Sequence, residues 1–453
     1  MRWLRACLVL LFMALLSGQS AYSRDDADQC ILQDEEVEEF LQDIVKRIAQ
    51  ALNFRDEVHV YVLCSRVLNA AATGDGSIVV NAGAILQCTD VREFIAIIAH
   101  EIGHLEGRHI ITLQSHIDHC QKTGLAMMVL GAAAAAVSGN PAVLVAGMGG
   151  GQSIAYGMML SKLRQKEALA DTKAAQAMEI LHWPIFQHFV ALHEKLEMNT
   201  GGVYNVYMST HPAPEDRKAK FAKWARESEG WKSSPQTVAL LETWQRRFKR
   251  VQAKINAMTQ PVNDALTATA NPRDVNARYA RAIALYRAGR YRESHTIIDA
   301  LLTDTAARED PNYEAYYTEI KAMCMIKMKQ CKQAAEVCWP ILKPGTGKVH
   351  IDLGLIYAEA VIEGALRDHF KNAIGIVIKI KALRPAFSSV THVLGQLYTL
   401  DGQPSKASLC SAEVAMASGD LDRAEWHAKK ATPSIQAKDI KADIERQKAQ
   451  AAH

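Results

Sequence analysis

Apolar residues in the first part of the chain follow two different spacings. In residues 34–53 they recur every three or four positions, which predicts an amphipathic helix. Residues 58–63 and 76–80 are short runs rich in Val and Ile, and both are predicted to be strands. A long helix is predicted from about Asp90, because Asp90 and Glu93 have the spacing of a capping box. The pattern indicates helices around a small sheet.

Residues 124–160 form the most apolar tract after the N-terminus. The tract is rich in Ala, Gly and Met, and it is interrupted around Pro141 and at residues 149–151. Neither half is a clean span of the ~20 apolar residues that cross a bilayer. We expect a buried or interfacial helical hairpin that contacts a membrane peripherally, with a membrane-inserted hairpin as the alternative. Further helices are predicted at residues 163–181, 185–198 and 235–257.

From residue 274 onward, small and large apolar residues repeat at a spacing of about 40. The clearest unit is Leu394-Gly395, Tyr398, Gly402 and Ala407, which fits the small–large pattern of a tetratricopeptide (TPR) repeat. The sequence predicts about four degenerate helix pairs, with a plain helical bundle as the alternative. Stacked pairs form a concave surface that typically binds protein segments.

These patterns together predict a mostly helical α+β protein with two domains. Residues 24–258 form the first, which contains the small sheet. Residues 259–273 are predicted to be a linker, and residues 274–453 to be an α-helical, TPR-like repeat domain.

Residues 1–23 have the features of a cleavable secretory signal. Arg2 and Arg5 precede an apolar run that is too short to span a bilayer comfortably, and small residues at Ala21 and Ser23 favour cleavage before Arg24. The alternative is an uncleaved N-terminal anchor. We expect an exported, periplasmic protein that is associated with a membrane at most peripherally.

Composition adds two constraints. The 52 basic residues nearly balance the 49 acidic ones, and no basic stripe is present, so nucleic acid is not an expected partner. Export would permit disulfides among the cysteines, but their sparse spacing contains no CxxC pair and does not reveal which of them pair.

The candidate chemistry begins with the run His-Glu-Ile-Gly-His at residues 100–104. Histidines four positions apart project from one face of a helix, so His100 and His104 can bind one Zn²⁺. Glu101 lies on the adjacent side, where it can act as general base toward water while the metal polarises a peptide carbonyl. The alternative, two ordinary helix histidines, is disfavoured by the apolar helix around them.

Two classes of zinc peptidase differ in the third ligand. One class takes a histidine ten residues after the first, but Ile110 occupies that position, and His109 is rotated away by about 100°. The other class takes a glutamate from a second helix, with an aspartate four residues later. Glu167 and Asp171 fit this pattern, as third ligand of one Zn²⁺ per chain and as hydrogen-bond partner of a ligand histidine.

These motifs resemble the zinc endopeptidases of the CAAX prenyl protease and HtpX type. The resemblance covers about residues 50–225 and rests on Leu68-Asn69-Ala70, residues 77–83, residues 100–104, Arg164-Gln165-Lys166-Glu167 and Ala170-Asp171. It implies a gluzincin-type metalloprotease domain. With the signal and the repeats, the chain is similar to the periplasmic, TPR-tailed, BepA-like branch.

The same resemblance draws attention to His211 and Arg217, within the segment Thr210-His211-Pro212-Ala213-Pro214-Glu215-Asp216-Arg217. In that branch such a segment places a loop histidine near the metal. His211 is therefore expected either to cap the fourth coordination position or to assist the transition state. Arg217 is expected to be a nearby structural or oxyanion-supporting residue.

The expected function is endoproteolysis of unfolded or misassembled envelope proteins, with quality control of outer-membrane protein assembly. The substrate is predicted to add as a strand beside Ile78, Val79 and Val80, taken as an edge strand. The repeats would recruit stalled polypeptides or the outer-membrane assembly machinery. The alternative is a TPR-based periplasmic chaperone or scaffold with a capped, largely latent zinc site. A membrane-embedded prenyl protease would need several membrane spans and is disfavoured.

Overall fold

A computed structural model describes residues 30–107, 141–198, 211, 217–272, 274–309, 312–345, 347–385, 387–431 and 435–451. The chain divides into two compact units between Ile255 and Asn256.

The first unit combines a small sheet with seven helices, counted over the described residues. Its strands are β1 (Ile31–Leu32), β2 (Val60–Leu63), β3 (Ala70–Ala72) and β4 (Ile78–Asn81). Its helices are α1 (Glu35–Ala51), α2 (Ala82–Gln87), α3 (Val91–Glu106), α4 (Pro141–Leu181), α5 (Phe186–Met198), α6 (Arg217–Glu227) and α7 (Pro235–Thr259), the last of which continues past the division.

The strand order is β1-β2-β4-β3. β2 and β4 are parallel, whereas β1 pairs antiparallel with β2 and β3 pairs antiparallel with β4. The prediction that Ile78, Val79 and Val80 form an edge strand is therefore wrong. Both sides of β4 are already hydrogen-bonded, and among the described strands β3 lies at that end of the sheet.

Helices α1 and α3 begin where their sequences predict. The Asp34 side chain accepts a hydrogen bond from the N–H of Val37 (3.1 Å), and the Asp90 side chain accepts one from the N–H of Arg92 (2.8 Å). In a capping box Glu93 would accept a hydrogen bond from the N–H of Asp90. Here it accepts one from the N–H of Thr89 instead, one residue earlier in the chain. The Asp90 cap fixes the start of α3, the helix that carries residues 100–104.

The core of the first unit is formed where α1, α3 and α7 meet. Phe40, Phe94 and Phe248 are fully buried, and their ring centroids are 5.9 and 5.7 Å apart across the three helices. Burial of each such side chain stabilises the fold by roughly 1.5–3 kcal/mol. α3 is buried along nearly its whole length, so the residues at its C-terminal end lie in the interior of the unit.

The predicted apolar hairpin at 124–160 lies partly outside the described residues. Residues 141–160 form the first part of the long helix α4. Within the part of the chain that the structure describes, no helix has both the length and the apolar character needed to cross a membrane.

The second unit is helical throughout its described residues. Its α-helices are α8 (Val262–Ala268), α9 (Val275–Arg287), α10 (Tyr291–Thr303), α11 (Tyr313–Lys327), α12 (Cys331–Leu342), α13 (Ile351–Glu363), α14 (Phe370–Leu383), α15 (Ser388–Leu400), α16 (Pro404–Ala417), α17 (Leu421–Lys430) and α18 (Ile435–Ala451). Two short 3₁₀ helices, Thr305–Glu309 and Arg367–His369, lie between them. Residues 259–273, predicted as a linker, thus contain a helix.

Consecutive helices of the second unit pack against each other, as stacked helix pairs do. The small residues singled out in the sequence lie at such a contact. A Cβ on Gly395 of α15 would come within 3.1 Å of the Cβ of Cys410 on α16. The TPR assignment itself stays a prediction.

Candidate metal centre

The helical spacing of residues 100–104 brings two imidazoles together near the end of α3. His100 and His104 are both buried, and their Nε2 atoms lie 3.1 Å apart. Burial lowers the pKa of His104 to about 3, so its ring is neutral and one of its nitrogens has a lone pair that can bind a metal. The two rings face the same small volume.

Helix α4 brings the predicted third ligand to the same volume. The carboxylate of Glu167 lies 3.1 Å from Nε2 of His100 and 3.3 Å from Nε2 of His104. Burial acts to raise the pKa of Glu167, but the surrounding imidazoles, His211 first among them, lower that pKa far below its usual value. Glu167 is therefore an anion buried among three histidines.

Gly103 explains how α4 comes so close to α3. A Cβ at Gly103 would lie 2.6 Å from the carbonyl oxygen of Ala170 and 2.9 Å from its Cα, well inside van der Waals contact. Only glycine leaves room for the backbone of α4 at this crossing. Because Ala170 is one turn from Glu167, the close approach positions that carboxylate.

His211 is the fourth member of the cluster, and it is buried. Its Nδ1 lies 3.3 Å from Nε2 of His100 and 3.3 Å from both oxygens of Glu167. Its Nε2 lies 3.2 Å from the carbonyl oxygen of Ala70 in β3. A carbonyl can only accept, so Nε2 donates to it, and in the neutral ring this leaves the lone pair on Nδ1, which faces the cluster.

Asp171 and Arg217 hold His100 in place from behind. Oδ1 of Asp171 lies 3.0 Å from Nδ1 of His100, which leaves the Nε2 lone pair of His100 facing the cluster. Arg217 donates to both Asp171 oxygens, from Nε and from Nη2, at 2.7 Å each. Although burial acts to raise it, the pKa of Asp171 is lowered to about 2 by hydrogen bonds and charges from His100 and Arg217. Such a two-point contact fixes the carboxylate orientation.

Glu101 lies beside the cluster and contacts the end strand of the sheet. Its Oε2 accepts a hydrogen bond from the N–H of Ala72 at 2.8 Å. Among the described residues its buried Oε1 has no hydrogen-bond partner, and it lies 3.5 Å from Nε2 of His211. Burial raises the pKa of Glu101, which makes its carboxylate a stronger base than one in water.

The donor set fits a zinc ion. One ligand atom from each of His100, His104, Glu167 and His211 lies within 4.8 Å of the others, and all four residues are buried. Lone pairs that converge in this way repel one another unless a cation lies between them. Burial and Arg217 act to lower the pKa of His100, yet Asp171 and Glu167 raise it to about 9. The two carboxylates thus favour a positive charge at this position, and a bound cation would supply that charge in place of the proton on Nε2. Imidazole and carboxylate donors in a four-coordinate arrangement suit Zn²⁺.

The structure also brings in residues that the sequence did not single out as part of the site. Ala70 and Ala72 contribute only backbone groups, and Gly103 contributes only the absence of a side chain. The only sequence signal for Ala70 was its place in the Leu68-Asn69-Ala70 motif, on which the family resemblance partly rests. Ile78, Val79 and Val80 lie one strand further from the cluster, since β3 separates them from it.

Comparison with known families gives the class of this centre. Residues 35–225 match peptidase family M48, and this segment contains every residue of the cluster. A search of curated proteins found no match. Family M48 consists of metallopeptidases, so residues 35–225 are a metallopeptidase domain. The prediction that the chain is an enzyme is confirmed.

Proposed function

We propose that this domain is a zinc-dependent endopeptidase that cleaves extended polypeptide. One observation carries the proposal: His100, His104 and Glu167 converge in a buried site whose neighbour is the carboxylate of Glu101. His100, His104 and Glu167 would hold one Zn²⁺ per chain. When bound, the ion would polarise the scissile carbonyl and lower the pKa of the attacking water.

Glu101 is proposed to be the general base. It would accept the proton of the attacking water and pass it to the leaving amine. Its buried position supports this role, since a carboxylate with a raised pKa holds a proton more readily. A general base of this kind contributes about 10²–10⁴-fold to the rate.

The substrate would pair with β3. Asn69 and Thr73 flank β3. The carbonyl of Asn69 accepts from the N–H of Asn81 and the N–H of Thr73 donates to the carbonyl of Ser77, so these backbone groups pair with the segment that contains β4. The carbonyl of Ala70 and the N–H of Ala72 instead face His211 and Glu101. An extended peptide that takes their place would lie directly beside the metal ligands, and backbone pairing would give it little sequence preference.

His211 is proposed to cap the centre at rest. Its Nδ1 would be the fourth metal ligand and would fill the open metal position. Its Nε2 contacts the carbonyl oxygen of Ala70, which the substrate backbone would otherwise use as a hydrogen-bond acceptor. A metal with four protein ligands is typical of a structural zinc site, whereas a catalytic one keeps a position open. Displacement of His211 would open the fourth position and so convert a site of the structural type into one of the catalytic type.

Metal analysis tests the ligand assignment. Wild type should contain about one Zn²⁺ per chain, because the three protein ligands form one site. His100→Ala, His104→Ala and Glu167→Ala should lose the ion. Glu101→Gln should keep the ion and lose casein degradation, and Glu194→Gln, at an exposed acid of α5, should change neither. Full zinc occupancy in Glu167→Ala would contradict the proposal.

The wider role rests on the resemblance to the BepA-like branch. We propose that the chain is exported to the periplasm, acts on unfolded or misassembled envelope proteins, and recruits them or an outer-membrane assembly complex through the second unit. Residues 124–160 would make peripheral membrane contact. Periplasmic fractions should contain a chain that begins at Arg24. A full-length cytoplasmic chain would contradict the export.

The second candidate function is a chaperone or scaffold with a latent zinc site, and the position of His211 favours it. The two functions are separable with Glu101→Gln, which removes the proposed base only. A chaperone would still suppress the aggregation of unfolded protein in this variant. If the function requires peptide cleavage, a Glu101→Gln strain should instead behave like a strain that lacks the protein.

A further inference from the structure

Two cysteines meet at the end of the sheet opposite β3. Cys30 immediately precedes β1, and Cys64 immediately follows β2. The antiparallel register pairs Ile31 with Leu63, so the next pair along the ladder is Cys30 with Cys64. The N–H of Cys64 donates to the carbonyl oxygen of Cys30 at 2.8 Å, which shows that the pairing extends to the two cysteines.

This backbone arrangement suits a disulfide. Residues opposite each other in a hydrogen-bonded antiparallel pair have Cα atoms ~5.5 Å apart, with side chains on the same face. Disulfides most often join Cα atoms ~5.5–6 Å apart. Because side chains alternate along a strand, both thiols lie on the face that carries the buried Leu32 and Val62. The bond therefore requires no change of register.

The two thiols influence each other and can be reached from solvent. Burial, and after it the adjacent Cys30 thiol, raises the pKa of Cys64 to about 12. Cys30 is exposed and Cys64 is partly buried. The other described cysteines are all buried, namely Cys88, Cys324, Cys331, Cys338 and Cys410.

We propose that Cys30 and Cys64 form a disulfide that fastens β1 to β2. A small disulfide such as oxidised glutathione is the oxidant. The thiolate of Cys30 attacks it, forms a mixed disulfide and releases one glutathione thiolate. Cys64 then loses its proton, attacks the Cys30 sulfur and releases the second glutathione. Two protein thiols are thereby oxidised to one S–S bond, and the oxidant is reduced to two thiols.

The bond acts on a short strand at the start of the domain. β1 has two residues, and the chain passes from it within three residues into α1, whose cap is Asp34. A disulfide from Cys30 to Cys64 closes a loop that contains α1. It would restrict the unfolded chain more than the folded one and hold β1 in the sheet.

Peptide mapping tests the proposal. The purified chain is incubated with oxidised glutathione, its free thiols are blocked with iodoacetamide, and it is digested with trypsin without reductant. Residues 25–46 and 56–66 are tryptic peptides, each with one cysteine. They should appear as one linked species, lighter by two hydrogens than their sum, that reductant separates. Cys30→Ser and Cys64→Ser should abolish the species, and Cys88→Ser should keep it.

Thermal unfolding tests the fastening. The midpoint of the oxidised protein should exceed that of the reduced protein by ~5–10 °C, and Cys30→Ser should show no such difference. Three outcomes would overturn the proposed bond. Both cysteines are alkylated after oxidation, glutathione remains on one of them, or one of them is linked to another cysteine. Equal midpoints for oxidised and reduced wild type would overturn its fastening role.

Discussion

The ring of His211 contacts two parts of the candidate centre with its two nitrogens. Nδ1 faces Glu167 and His100, and Nε2 faces the carbonyl of Ala70. A histidine that only assisted the transition state would not need the second contact at rest. The geometry thus supports a resting cap more than a purely catalytic role.

His211→Ala should therefore raise basal casein degradation and self-cleavage while zinc stays bound. The reason is that three protein ligands remain and the fourth position becomes open. The measurement is initial rate and zinc content of the same preparation. His188→Ala, at a partly buried histidine of α5 outside the cluster, should leave both unchanged. A variant that binds zinc but cleaves nothing would show that His211 acts in the transition state.

At this scale the sequence was informative because ligand spacing is local. His100 and His104 are one helical turn apart, and Glu167 and Asp171 are likewise four residues apart on α4. Each pair could be identified without knowledge of the fold. The contacts of Ala70 and Ala72 could not be, because they are made by backbone groups that carry no residue-specific signal.

The crossing of α3 and α4 decides the geometry of the centre at the scale of elements. Gly103→Ala should weaken zinc binding and lower the midpoint of thermal unfolding. A methyl group there meets the backbone of Ala170, which cannot rotate away, so the helices must separate. Overpacking of this kind typically costs about 1–3 kcal/mol.

The matched control is Gly230→Ala, since a Cβ at Gly230 meets nothing within 4 Å. Both variants are assayed by zinc titration with a competing chelator and by thermal unfolding. Wild-type zinc affinity in Gly103→Ala would mean that the crossing is not what positions Glu167.

A buried ion-pair cluster joins α1 to α7. Glu36 pairs with Arg250 and, at 3.1 Å, with Lys254, which also lies 2.7 Å from Asp34. Burial acts to raise the pKa of Glu36, but Arg250 and Lys254 lower it from 4.5 to about 2. The folded state therefore binds the proton less tightly than the unfolded state does.

The stabilisation from Glu36 should be complete above about pH 4.5 and should be lost as pH falls toward 2. Glu36→Gln should be less stable than wild type at pH 7 by about 3–5 kcal/mol, because buried cations lose their partner. The difference should shrink across that acidic window. Chemical denaturation measures this difference in unfolding free energy, and a chelator keeps bound metal from contributing to it.

Asp43→Asn is the control, since Asp43 pairs with Arg247 but is half exposed. Exposed pairs contribute about 0–1 kcal/mol. An unfolding free energy difference for Glu36→Gln that stayed constant from pH 7 to pH 2 would contradict the pKa assignment.

The sheet was only partly predictable. β2 and β4 have strong runs of β-branched residues, whereas β3 is Ala70–Ala72 and β1 has two residues, so neither has a readable alternation. Strand order depends on contacts between distant segments, which the spacing of apolar residues does not encode. The sequence predicts β4 as an edge strand because its neighbour β3 consists of three alanines, which have no strand-like pattern.

At the scale of the whole molecule, the candidate metal centre lies in the first unit and not in the helical second unit. All members of the cluster precede Ile255, where the first unit ends. Deletion from Asp274 onward should therefore leave a core that binds zinc and keeps its thermal unfolding transition. Recruitment of a partner or substrate should be lost, which crosslinking in cell extracts can measure.

Full-length Glu101→Gln is the control for recruitment, because it keeps the second unit and lacks only the proposed base. A truncated chain that neither folds nor binds zinc would show that the second unit completes the peptidase domain.

The Ala70–His211 contact also determines how the centre responds to dilution. His211 belongs to the same chain as the groups it contacts, so in its proposed role as a cap it would be a tethered ligand with an effective concentration of about millimolar. Dilution of the enzyme does not lower that value. Specific activity should therefore be independent of enzyme concentration, and free imidazole or short peptides should displace the ring only near millimolar levels. A long substrate held elsewhere on the chain gains the same tethering advantage and competes with His211 on equal terms.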